Sequence, residues 1–262
     1  MSVPTFSLEG KVALVTGGSR GIGRAIAVAF AGAGADVIVC SRKLPDLEKV
    51  THEIRELGRK SLAVAAHVGK IEELNNLANK VVEEFGKIDI LVNNAGTNPV
   101  NASVIDYEER LWDSIMNINL KGVVFLSQKV AKIMKERGGG NIINIASIEG
   151  FRVGVKSLAY DISKAGIIHF TRIAATEWAP YNIRVNAIAP GFTKTNLVHS
   201  LWENEAIKEK LVNKIPIKRM ADPNDMAGTA LYLASNASAY TTGATIVVDG
   251  GMTLPLGMEL GD

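Results

Sequence analysis

The chain of 262 residues carries 29 Lys+Arg against 27 Asp+Glu, a single Cys, four His and 47% hydrophobic residues. One cysteine, Cys40, makes neither an internal disulfide nor a multi-thiolate metal site, and the histidines at 52, 67, 169 and 199 fall in none of the zinc-binding spacings, so no bound metal is expected. Charges are interspersed without a basic stripe and no apolar run reaches the ~18 residues of a membrane span, which argues against nucleic acid and the bilayer as partners.

Runs rich in Val, Ile, Leu and Ala recur, each followed by a stretch of helical period, the pattern of βαβ units around a buried parallel sheet. The first strand is predicted at 11–16 and the first helix at 21–33, joined by Thr16-Gly17-Gly18-Ser19-Arg20-Gly21-Ile22-Gly23. Glycines at 17, 21 and 23 let the chain turn tightly and approach a pyrophosphate, while the free amides and dipole of the helix start favour its charge. The spacing is G-x-x-x-G-x-G, a variant of the dinucleotide fingerprint.

A second strand at 36–41 ends in Cys40-Ser41-Arg42-Lys43. A carboxylate there would accept from a ribose 2′-hydroxyl; its absence, with Arg20, Arg42 and Lys43 able to converge on a 2′-phosphate, favours NADP(H) over NAD(H), which stays open. Next come a helix at 44–57, a strand at 61–68 ending in His67-Val68-Gly69, a helix at 71–85, and a strand at 89–93 that runs into Asn93-Asn94-Ala95-Gly96. A long helix is predicted over 107–135, containing Asn117 and Asn119, and a fifth strand over 141–146, followed by Ser147.

The helix predicted at 158–179 opens with Tyr160-Asp161-Ile162-Ser163-Lys164. Four residues apart, the phenol and the ammonium share a face, and the cation is expected to lower a tyrosine pKa that is otherwise near 10. Ser147, thirteen residues earlier, is placed to polarise a carbonyl. The chain closes with strands at 183–189 and 244–249 and a helix at 223–235. Between the last two strands, 191–220 carries a charged helical stretch at 201–212, read as a substrate lid. The expected fold is a single-domain α/β Rossmann fold, a seven-stranded, doubly wound, mostly parallel sheet over residues 1–262.

Together these motifs closely resemble the short-chain dehydrogenase/reductase family, over roughly residues 6 to 252. The resemblance implies Tyr160 as general acid/base, Lys164 on the nicotinamide ribose, Ser147 on the carbonyl, and Asn119, which directly precedes Leu-Lys-Gly, on a relay water. It matches Pro190, Gly191, Thr193 and Thr195 to the segment that holds the nicotinamide carboxamide and phosphates. It also implies cofactor binding by Asn94, Ala95 and Gly96, with Gly96 and Gly191 bordering the nicotinamide. The family usually ends its third strand in an adenine-binding aspartate; here His67 and Val68 stand there, and a neutral imidazole could accept the same bond.

The implied reaction is hydride transfer between NADP(H) and a ketone or secondary alcohol, in a branch like carbonyl reductases or 3-oxoacyl carrier-protein reductases. An NAD-dependent sugar or polyol dehydrogenase is an alternative enzyme, and a catalytically inactive NADP(H)-binding sensor an alternative of another class. The pocket is expected from 97–100, 148–155 and 192–215. A homotetramer is implied, with the tail 252–262 reaching a neighbour, and the absence of a signal-like start makes a cytoplasmic location the expectation.

Overall fold

A computed structural model of the chain describes residues 3–254. Seven strands, β1 Val12–Thr16, β2 Asp36–Ser41, β3 Ser61–Ala65, β4 Ile90–Asn93, β5 Gly140–Ile145, β6 Ile183–Pro190 and β7 Thr245–Val248, form one sheet in the order β3-β2-β1-β4-β5-β6-β7. Every neighbouring pair is parallel. The principal helices are α1 Gly21–Gly32, α2 Leu44–Glu56, α3 Ile71–Phe85, α4 Glu109–Met116, α5 Gly122–Glu136, α6 Leu158–Trp178, α7 His199–Glu203, α8 Glu205–Asn213 and α9 Ala227–Ala234.

Side chains alternate across a strand, so the interior strands feed two cores, while β7 at the edge packs on one and exposes Val247. Ala13, Val15, Val37 and Val39 pack under α1, α2 and α9 with Ile26, Phe30, Leu47, Ile54 and Leu233. Val12, Leu14, Ile38 and Leu91 pack on the other face with Leu74, Leu77, Leu126 and Val130 of α3 and α5. This two-sided burial explains why the strands read as continuous apolar runs.

The chain runs outward from β1 to β3, then returns to place β4 on the other side of β1. That reversal opens a crevice beyond the carboxyl ends of β1 and β4, where sheets of this kind bind ligands. The glycine turn after β1 and the Asn93–Gly96 stretch after β4 both lie there.

Two expectations need correction. The helix expected over 107–135 is interrupted: α4 and α5 are joined by a π-helical turn, Asn117–Lys121, and the chain enters α4 through a 3₁₀ turn at Val104–Asp106. The lid stretch is also split, because the Asn204 side chain accepts the Ile207 N–H at 3.2 Å and starts α8 afresh. Of the tail 252–262, residues 255–262 lie outside the described residues.

Candidate active site

The crevice is built first from backbone. Gly17 and Gly21 adopt φ of +64° and +55°, the left-handed region that glycine enters without penalty. A Cβ at residue 17 would stand 2.7 Å from the Asn94 amide nitrogen, and one at 23 would collide with the Gly17 carbonyl. Arg20, before α1, offers no side-chain cap, and no acid occupies the first turn, so the leading amides of α1 keep no acceptor from these sources. A cradle that any side chain would fill, closed by free helix amides, fits the pyrophosphate of a dinucleotide.

Asn94 fixes that cradle to β4. Its side chain donates to the carbonyls of Thr16 and Gly17 at 2.9 and 3.1 Å, and the Thr16 hydroxyl accepts the backbone N–H groups of Asn94 and Ala95 at 3.0 and 3.2 Å. On the far side, Thr195 packs its methyl against Gly21. Thr193, buried, donates to the Gly191 carbonyl at 3.1 Å, and Gly191 lies so close to Asp249 that a side chain there would overlap its backbone. The backbone N–H after Pro190 donates to Val248 at 2.9 Å, joining this segment to β7.

Arg20, Arg42 and Lys43 are exposed and make no ion pair among the described residues, while Ser41 and Ser19 are half-buried. His67 behaves differently from the expectation. Its Nδ1 accepts the Gly69 N–H at 3.1 Å. In a neutral ring the proton then sits on Nε2, so the imidazole presents a donor rather than the expected acceptor to anything beyond it. Val68 places its carbonyl against Gly122 at the start of α5, where a side chain would not fit.

Four residues surround the end of β5. Lys164, 5% exposed, reaches back from α6 to donate to the Ile145 carbonyl at 2.8 Å, and its Nζ stands 5.6 Å from the Tyr160 ring centroid. Ser147 accepts the Glu149 N–H at 3.1 Å, and its hydroxyl lies near enough to the Tyr160 phenol to favour the phenol's ionised form. Asn119, fully buried in the π turn, accepts the Thr97 N–H at 2.8 Å and donates to the Thr97 carbonyl at 2.9 Å and to Ser163 at 3.2 Å. Asn119 Oδ1 and Lys164 Nζ lie 3.5 and 3.6 Å from the point where a Gly96 side chain would begin.

The electrostatics correct the expected sign at Tyr160. Burial pushes the phenol up to about 12, with the Ser147 hydrogen bond opposing it, and burial brings Lys164 down to about 8. In the protein by itself, desolvation outweighs the Ser147 contact, and the nearby carboxylates of Glu149 and Asp161 add to it.

Sequence reasoning missed the network beneath the site. Asn93 donates to Ser127 and to Asn144, both at 2.8 Å, and Asn144 donates to Thr171 at 3.0 Å, tying β4, β5, α5 and α6 together. The available signal was an asparagine inside each of two otherwise apolar strands. In the stretch 148–155, expected to wall the pocket, Phe151, Val153 and Val155 are exposed.

A family model described as enoyl-(acyl carrier protein) reductase matches residues 17–253. The 2-dehydro-3-deoxy-D-gluconate 5-dehydrogenase of Dickeya dadantii (strain 3937) is 43% identical over 254 residues, covering 96% of this chain and 98% of that protein. Dehydrogenase/reductase SDR family member 4 of Sus scrofa is 39% identical over 244 residues, 93% of this chain and 88% of that one. Among solved structures, a gluconate 5-dehydrogenase from Burkholderia cenocepacia J2315 in complex with NADP and tartrate is similar at a TM-score of 0.91 and 33% identity, over 96% of this chain and 98% of that one.

Proposed function

As the chain belongs to the short-chain dehydrogenase/reductase family of oxidoreductases, we propose that it interconverts a ketone and a secondary alcohol with NADP(H), Tyr160 giving the proton in reduction and taking it in oxidation. The observation that carries this reading is the gathering of Ser147, Tyr160 and Lys164 at the end of β5, beside a glycine cradle that fits a dinucleotide.

When bound, the nicotinamide supplies the hydride. The protein's share is alignment and proton handling. The Ser147 oxygen accepts the Glu149 N–H, which holds the hydroxyl beside Tyr160, where its O–H would turn to a substrate carbonyl once one is bound. A phenol at about 12 stays protonated through the physiological range, the form that gives its proton in reduction. Lys164, with a pKa of about 8, keeps its charge at neutral pH; it would hold the ribose hydroxyls, with Asn119 serving a relay water beside it.

Arg20, Arg42 and Lys43, with Ser41, would hold the 2′-phosphate. Gly17, Ser19, Gly21, Ile22 and Gly23 would hold the pyrophosphate; His67 and Val68, the adenine; and Asn94, Ala95, Gly96, Pro190, Gly191, Thr193 and Thr195, the nicotinamide side. The NADP named in the Burkholderia structure supports the cofactor. Segment 191–220 would act as a lid: its stems are joined by backbone bonds of 3.0 Å from Ala221 to Phe192 and 2.9 Å from Lys194 to Ala221, while α8 buries none of its side chains.

The sugar-acid names of the relatives support a polyhydroxy carboxylate as substrate, ahead of the simple ketones of a carbonyl reductase. A ketone with an apolar body is the second reading, favoured by Val153 and Val155, each 88% exposed at the rim. Exposed Phe125 on α5 and Ile162 and Ile173 on α6 support assembly through these helices into a tetramer, which sedimentation would measure.

A screen of 2-keto and 5-keto sugar acids and cyclic ketones with NADPH and NADH separates the substrate readings. Tyr160→Phe is expected to lower turnover by about 100- to 10,000-fold with NADPH binding retained. Undiminished turnover by that variant would remove the mechanism; no turnover by the unsubstituted protein on any carbonyl would favour a sensor.

A further inference from the structure

The pocket wall after β5 holds two carboxylates for which the reaction has no use. Glu149 takes both Nε and Nη2 of Arg152 on one oxygen, Oε1, at 3.2 and 3.0 Å. Its other oxygen, Oε2, is buried without a hydrogen-bond partner among the described residues. That oxygen packs on Gly154, where a Cβ would stand 2.5 Å from it. Asp161, the residue after the tyrosine, accepts the Gly154 N–H on Oδ2 at 2.7 Å, while its Oδ1 is likewise buried and unpartnered. Two carboxyl groups therefore meet on one glycine, each with an orphan oxygen.

The charges facing this pair are few. Arg152 and Ser157 come from the same segment, and Tyr160 faces both carboxyl groups from α6. Phe192, across the pocket, contributes only its ring, 5.8 Å from the Arg152 guanidinium. Two ionised carboxylates against one guanidinium leave a net negative charge in a partly buried setting, which partial desolvation disfavours. A single proton removes that charge and supplies a donor for the orphan oxygens.

We propose that Glu149 and Asp161 hold one proton between them and act as positioning residues, clasping segment 148–157 to the start of α6 so that Ser147 and the pocket wall stay aligned with Tyr160. The segment needs such a clasp. Its residues Ile148 and Gly150 pack against the core and α6. Beyond residue 150 its other ties include the Ala102 N–H to Lys156 carbonyl bond at 3.1 Å, the Asn98 side chain to Ser157 at 3.4 Å, the Asp161 N–H to Ser157 carbonyl bond at 2.9 Å, and the Arg152–Phe192 contact. Glu149 also bonds Ser147 through its backbone, so movement of the segment reaches the catalytic hydroxyl directly.

Burial raises both carboxyl groups above their ordinary range, in each case against the pull of a hydrogen bond, from Arg152 or from Gly154. Closure is therefore favoured while the proton is present and weakens as pH rises through the raised value. Between the ordinary carboxylate range and that value, closure should fall about tenfold per pH unit.

Hydrogen–deuterium exchange of the stretch 150–161 in the cofactor-free protein tests this without any substrate. After correction for intrinsic exchange, protection in the unsubstituted protein should fall with rising pH. Glu149→Gln keeps an acceptor for Arg152 and places an amide donor where the proton would sit, so its protection should persist; Asp161→Asn should do the same from the other side. Protection that is independent of pH in the unsubstituted protein, or that falls in parallel in both variants, overturns the proposal. The kinetic consequence alone rests on the function proposed above: KM for a neutral ketone should rise with pH in the unsubstituted protein and stay flat in Glu149→Gln, with little change in kcat. Failure of every ketone would count against that function and leave the exchange result to decide the clasp.

Discussion

The two walls of the crevice are made differently. The proposed cofactor wall is backbone held by buried groups: Thr16, Asn93 and Asn144 are nearly inaccessible, and the turn they support has no room for a side chain at 17 or 23. The proposed substrate wall is a pair of segments, 148–157 and 192–220, that are tied down through a few bonds and expose Phe151, Val153 and Val155. A shape common to many reactions is set by packing, whereas the shape that distinguishes substrates is left to segments with little buried area, and these can change at small cost to stability.

That contrast breaks first at Gly23. Gly23→Ala should weaken NADPH binding by about 10- to 100-fold, the scale of ~1–3 kcal/mol for overpacking, read by fluorescence titration; a change under twofold would remove the turn from the cofactor site. Next is pH. Reduction kcat/KM should fall roughly tenfold per unit above about 8, because Lys164 loses its proton there while Tyr160 stays protonated to about 12. A profile still flat about two units above that value would show that the lysine's charge is not needed.

Arg42→Ala should reduce the preference for NADPH over NADH about tenfold, in line with one lost charge-assisted bond, measured as the ratio of kcat/KM values; an unchanged ratio would assign Arg42 to the solvated surface. The smallest effect belongs to the lid. Lys208→Ala removes a 2.9 Å pair with exposed Glu205 on α8 and should change stability by less than about 0.5 kcal/mol in thermal unfolding. A large loss would mean that α8 is integral to the folded core.

The legible parts of the sequence were those governed by local rules. Strand–helix alternation located all seven strands: two-sided burial leaves a continuous apolar run in the interior ones, and the edge strands β3 and β7, less buried, still carry Leu, Val and Ile runs. The glycine spacing and the Tyr160–Lys164 interval were legible because steric exclusion and helical period act over a few residues. Long-range consequences were not. Nothing near Asn119 announces a π turn, since the distortion comes with side-chain bonds to Thr97 and Ser163, 22 and 44 residues away. The sign of the shift at Tyr160 was also hidden, because burial is a property of the assembled wall. His67 shows the same limit: its residue type allowed an acceptor, but a bond to Gly69 had already taken that nitrogen.

Lys164 is fastened to the carbonyl of Ile145, the last residue of β5, and Ser147 follows two residues later. The strand therefore serves as a ruler for the reaction. A one-residue slip of β5 against β4 or β6 would turn every side chain to the opposite face and shift the anchor of the lysine and the origin of the serine together. Over evolutionary time, insertions and deletions should accumulate after residue 148 and be absent from 140–147, because the length of that strand sets the spacing of the proposed site.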